Sequence, residues 1–143
     1  MLRLSKKVEY GLIAILHMDE QAPGEVVSAK EMAERYHLPV DLFGKVLQAL
    51  ARAGVVESVH GAHGGYCLQR AFEELTLGDV MEAIEGPLQL VRCQEHPDTC
   101  DQFTVCTIRE PVLAVQQRLI AYMGAFRLTD FRTANGRSLQ PRE

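Results

Sequence analysis

From Ser5 onward, apolar side chains at Val8, Leu12, Ile15 and Leu16 return at helical spacing, and the pattern stops at the turn-rich stretch "EQAPGE". Ser5 stands where a side-chain oxygen can accept from the free amides of the first turn. "SAKE", Ser28 to Glu31, reads as a capping box and predicts a short helix through Tyr36. Pro39 then opens a third helix that carries Leu42, Phe43, Val46, Leu47 and Leu50 and is closed by Gly54. Two helices joined across so short a turn predict a helix-turn-helix.

The pattern next changes to that of strands. Val55, Val56, Val59, Tyr66 and Leu68 flank the turn cluster "GAHGG", which predicts a β-hairpin, or wing. Thr76 with Asp79 predicts a further capped helix, "LGDVMEAIEG", ended by Gly86. After a loop, Glu110 and Pro111 open a long helix whose Val112, Val115, Leu119, Tyr122, Met123 and Phe126 recur every three or four residues. Such a stripe either folds back on its own domain or pairs with its copy in a dimer. The expected fold class is mainly α with a small β-hairpin. A winged helix-turn-helix at 1–86 is followed by a cysteine loop at 87–107, a dimerisation helix at 108–131 and a polar, frayed tail at 132–143.

Composition sharpens the picture. At 143 residues and 47% hydrophobic content the chain can bury a core. No 18-residue apolar run and no leader-like start are present, which leads us to expect a cytoplasmic protein with no membrane partner. Three of the four cysteines, Cys93, Cys100 and Cys106, fall within fourteen residues in "VRCQEHPDTCDQFTVCTIRE". In a reducing compartment that clustering points to metal or redox chemistry rather than structural disulfides. Thiolates suit zinc or an iron-sulfur cluster, either of which normally takes four ligands. The gaps of six and five residues are wide for structural zinc, although His96 would supply a shorter one. Three possibilities stay open on spacing alone: a cluster, a zinc site including His96, or thiols that form a reversible disulfide or bind nothing. Cys67, alone in a wing strand, is expected to be a small buried hydrophobe.

The net charge of −4 hides an asymmetry, because residues 1–71 carry eight basic and eight acidic side chains whereas 72–143 carry seven and eleven. A nucleic-acid surface is therefore expected in the first half. Ser28, Lys30, Asp41, Lys45 and Arg52 lie on or beside the helix-turn-helix, and His60, Gly61, His63 and Gly64 lie in the wing. For each charge the competing explanation is a solvated helix face. No Lys-Ser/Thr follows Gly61, Gly64 and Gly65, which excludes a P-loop, and no nucleophile–base arrangement is visible, so no enzyme is expected. An iron-sulfur electron carrier and a protein-interaction module are the alternatives from other classes.

The segments "LRLSKKVEYGL", "LARAGVVESVHGAHGGYCL", "LTLGDVMEAIEGPLQLVRC" and "FRLTDF" occur in this order, and the chain from residue 2 to about 131 resembles the IscR/NsrR/RirA family of winged-helix transcriptional regulators. The resemblance implies a homodimer that binds partly palindromic double-stranded DNA and carries an iron-sulfur cluster, [2Fe–2S] or [4Fe–4S], on Cys93, Cys100 and Cys106. It implies a regulator, expected to be a repressor, that senses cluster supply, nitric oxide, iron or redox state. IscR-like members place a histidine three residues after the last cysteine, where this chain has Arg109, and the NsrR-like pattern instead points to Glu9 of the partner subunit as fourth ligand. Two further departures are His60 where an arginine is common and Gly44 where a carboxylate helps select DNA sequences.

Overall fold

A computed structural model of the chain describes residues 2–135. Six α-helices and one hairpin follow in the order α1 (Lys6–Asp19), α2 (Ala29–Tyr36), α3 (Val40–Arg52), β1 (Val56–Val59), β2 (Gly65–Leu68), α4 (Leu77–Glu85), α5 (Arg109–Ala125) and α6 (Thr129–Asn135). The amide of Val8 donates to the Ser5 hydroxyl oxygen at 3.2 Å, as the cap signal anticipates. Ser28 likewise accepts from the Glu31 amide at 3.3 Å, but the returning Glu31 half of that box is not formed. The reciprocal box is complete at Thr76 and Asp79, where each side chain accepts from the other residue's amide.

The turn between α2 and α3 is set by backbone bonds. Leu38 N–H reaches back to the Ala33 carbonyl at 2.8 Å, and His37 takes the left-handed conformation, φ 55°, that glycine more often supplies. Pro39 then caps α3 without a side-chain bond, and Gly54 at φ 76° follows its last turn. The inner faces of α1, α2 and α3 bury Ile15, Met32, Phe43, Leu47 and Leu50 in one core. His17 adds a polar link, its Nδ1 lying 2.7 Å from the Tyr36 hydroxyl, with burial first and Arg35 second holding its pKa below the usual histidine range.

The hairpin is antiparallel with Val56 opposite Leu68 and Val59 opposite Gly65. Val27 adds a short third rung by exchanging two backbone bonds of 2.8 Å with Tyr66. That rung needs Gly65, because a Cβ there would collide with the Val27 carbonyl. It holds the entry to α2 beside the wing.

After α4 the chain leaves the core through the cysteine loop and returns along α5. Gly78 makes the close approach possible, since a Cβ on it would come within 3.1 Å of the Gly124 backbone. The segment after α5 then rejoins the core: Leu77 N–H donates to the Phe126 carbonyl at 2.8 Å, Leu128 N–H donates to the Leu75 carbonyl at 3.0 Å, and Leu128 is fully buried. Residues 126–128 thus pack against the first body. Residues 129–135 form α6, and Arg132 Nε donates to Asp19 at 2.8 Å while its guanidinium lies 4.5 Å from the centre of the Phe72 ring. The rest of the expected polar tail, 136–143, lies outside the described residues. No described helix is long and apolar enough to cross a membrane.

Leu128 closes an excursion of some fifty residues, so Leu128→Ala is expected to cost about 2–5 kcal/mol in urea denaturation through lost burial and a residual cavity. A change below about 1 kcal/mol would mean that α6 and its approach are not part of the cooperative core.

Candidate metal loop and nucleic-acid interface

The cysteine loop has little regular structure beyond two single turns of tight helix, Arg92–Gln94 and Pro97–Thr99. Cys93, Cys100 and Cys106 are free, half-buried thiols, and all three line one cavity of about 720 Å³ whose wall includes the apolar Val91, Ile108 and Val112 and the polar Arg92, Asp101 and Gln102. Cys100 Sγ donates to Gln102 Oε1 at 3.7 Å. Arg109 also lines this cavity, directing Nη1 to the Phe103 carbonyl at 3.3 Å and stacking over that ring at 4.5 Å. A guanidinium offers no lone pair, so Arg109 does not replace the family's histidine as a ligand.

Among the described residues, no group of three His, Cys, Asp or Glu side chains stands ready to hold a metal ion. The cysteines share a cavity, not a finished coordination sphere. Three soft thiol donors beside apolar side chains nevertheless have the chemistry that a sulfur-ligated iron group requires. Glu9 is not among the residues that line the cavity, and its carboxylate pairs with Lys6 at 2.9 Å. His96 is exposed and also lies outside the cavity lining; its carbonyl oxygen accepts from Thr99 Oγ1 at 2.8 Å.

What ties the loop to the body was not anticipated. Gln116 is the one buried polar or charged side chain among the described residues, at 6% exposure, and it sits on the inner face of α5. Its Oε1 accepts from the Leu90 amide at 2.9 Å and its Nε2 donates to Gln94 Oε1 at 3.1 Å. The Leu90 amide can only donate, so both carboxamide orientations follow from it. Gln94 Nε2 is buried with no partner among the described residues. An unmet donor of that kind costs about 1–3 kcal/mol. A signal was present in the sequence, because Gln116 is the polar residue between Val112 and Leu119 on the apolar face of the helix.

The α5 stripe divides into two faces. Val112, Leu119, Met123 and Phe126 are half-buried with Gln116, whereas Ile108, Val115 and Tyr122 are 61, 51 and 64% exposed. Those three stand at intervals of seven residues, the spacing of a helix-pairing seam.

On α3, Asp41, Lys45, Gln48 and Arg52 form an exposed row at spacings of three and four, opposite the buried Phe43, Val46, Leu47 and Leu50. Lys45 has no ion-pair partner among the described residues. Gln48 was missed by the sequence reading, although it lies one turn from Lys45 on the same face. Arg52 is set apart at the far end of the helix, about 16 Å along the axis from Asp41. There it shares a groove with Arg70, Asp79 and Glu82. Lys30 is exposed and pairs with Glu34 at 4.0 Å, and the Ser28 oxygen is occupied as a cap. In the wing, Gly64 N–H closes a turn onto the Gly61 carbonyl at 3.1 Å, and Gly61 at φ 116° needs the glycine conformation. This small tip presents His60 and His63 to solvent. Cys67, half-buried in β2 opposite Glu57, lies outside both sites.

Comparison with known proteins agrees with this architecture. Residues 4–133 match the family Rrf2, described as iron-dependent transcriptional regulator. The protein rrf2 of Nitratidesulfovibrio vulgaris (strain Hildenborough) is 30% identical over 129 residues, covering 90% of this chain and 86% of that protein. The HTH-type transcriptional regulator NsrR of Halalkalibacterium halodurans is 29% identical over 123 residues, covering 85% and 82% respectively. The solved structure of T. potens IscR superposes with a TM-score of 0.70 at 25% identity over 99% of this chain and 93% of that one.

Proposed function

The chain belongs to the Rrf2 family of winged-helix transcriptional regulators, not enzymes, and from that premise we propose that it is a homodimeric regulator whose affinity for DNA follows the state of an iron-sulfur cluster. The observation that carries this reading is the set Cys93, Cys100 and Cys106 lining one cavity at the start of α5, the helix that bears the exposed seam. A bound cluster would supply a group that reacts with oxidants and nitric oxide. The chain's own part is to present three thiolates, shield them with Val91, Ile108 and Val112, and bind DNA through α3 and the wing.

Burying Ile108, Val115 and Tyr122 against a second copy would remove the exposed apolar row from water. Two α3 helices related by a two-fold axis would then meet two half-sites. Lys45 would supply phosphate attraction, while Gln48 has the paired donor and acceptor that match adenine in the major groove. His60 at the wing is a weaker and pH-dependent cation than arginine. For the missing ligand we propose Glu9 of the partner subunit, which must first release Lys6. A carboxylate is a hard ligand, so that corner would open before the thiolate corners. Attack there would be the natural first step of sensing.

Anaerobically purified protein is expected to be coloured and to contain iron and sulfide, and Cys93→Ala, Cys100→Ala or Cys106→Ala should abolish the colour while Cys67→Ala keeps it. Glu9→Ala should retain the colour but shorten the cluster's lifetime. A colourless protein with stoichiometric zinc would overturn the cluster assignment.

On DNA from upstream of its own gene, the protein should occupy two half-sites centred about 34–36 Å apart, or a multiple, with affinity falling about 0.9 log units per neutralised phosphate for each log unit of salt. Lys45→Ala should weaken all sequences alike, whereas Gln48→Ala should erase discrimination at one base position by about 1–3 kcal/mol. Val115→Glu with Tyr122→Glu should yield a monomer in sedimentation and lose the two-site footprint. Binding by that monomer equal to wild type would contradict the dimer.

A further inference from the structure

The Gln94–Gln116 pair is costly to keep for stability alone. It places a polar side chain in the middle of an apolar helix face, satisfies three of its groups and leaves the Gln94 Nε2 hydrogens without an acceptor. An aliphatic residue at 116 would fill the same space without orienting anything. What the pair does provide is position. Cys93 directly precedes Gln94 within the turn Arg92–Gln94, Leu90 lies three residues before Cys93, and Gln116 is adjacent in sequence to Val115 of the exposed seam. The first cysteine is therefore fastened to the middle of α5 through two side-chain amides. Among the described residues no other side-chain hydrogen bond links the 90–94 segment to that helix.

We propose that Gln94 and Gln116 form the joint by which the state of the cysteine loop is transmitted to α5. This rests on the cluster reading above. A ligand shifts a conformational equilibrium only through contacts that differ between the two forms. Cys93 and Gln94 share the turn Arg92–Gln94, so gathering the three thiols around a bound group would reorient Gln94 with Cys93. Loading thus favours one setting of Gln94, Gln94 sets the Gln116 carboxamide, and Gln116 sets both Leu90 and its own turn of α5. Gln94 and Gln116 are positioning residues; neither is a ligand.

The test uses the full-length dimer prepared anaerobically, loaded and metal-free. Exchange of the Leu90 amide hydrogen is expected to differ by about tenfold or more between the two forms, while the amides of the α3 core stay constant. Gln94→Leu removes the acceptor for Gln116 without adding charge, so it should abolish that difference. The double variant Gln94→Leu/Gln116→Leu should remain dimeric and coloured, with loaded and metal-free DNA affinities brought within about threefold of each other. Unchanged Leu90 exchange on loading overturns the joint, and so does a double variant that keeps the full affinity ratio. If the double variant does not fold, the wild-type exchange comparison decides. A wild-type protein that carries no cluster would instead remove the proposed function itself, and the joint with it.

Discussion

The structure depends on one closure. Leu75 and Leu77 on one side and Phe126 and Leu128 on the other exchange two backbone bonds and bury Leu128 completely. Between those residues the chain makes its whole excursion through α4, the cysteine loop and α5. Without the closure α5 would be joined to the helix-turn-helix through α4 and an irregular loop alone. With it, α5 is fixed at both ends of the excursion, and Arg132 carries the connection on to Asp19 at the end of α1. α5 is thereby tied to the body that holds α3.

That constraint gives α5 two tasks on two faces. The inner face meets α4 where Gly78 permits close approach to the Gly124 backbone, and it grips the loop through Gln116. The outer face leaves Ile108, Val115 and Tyr122 in solvent at heptad spacing. The three cysteines lie in the largely irregular segment that precedes α5 and line one cavity. The proposed coupling needs no long pathway, because Cys93, Gln94, Gln116 and Val115 are successive neighbours in chain or contact.

Much of this was legible in the sequence because local signals and tertiary packing agree. Ser5, Thr76 and Gly54 act at the helix boundaries where their chemistry places them, and the buried Phe43, Val46, Leu47 and Leu50 follow the period of the third helix. The division of the α5 stripe was not legible, since residues 112, 119 and 123 and residues 115 and 122 satisfy the same helical spacing and only packing separates them. Arg52 appeared beside Lys45 in sequence order, but about 16 Å of helix axis lies between it and the start of α3. The first helical turn of α6 hides in a motif already credited to the end of α5, because a non-helical stretch, Phe126–Leu128, interrupts the helix. The cysteine trio was evident in sequence, and its three members line one cavity.

The most direct measurement is a single fluorescence-anisotropy titration of one operator fragment, carried out anaerobically at fixed salt, with the same preparation before and after its cluster is removed. The account predicts that both forms remain dimeric and that their dissociation constants differ by about tenfold or more. Equal affinities for dimeric loaded and cluster-free protein would contradict it.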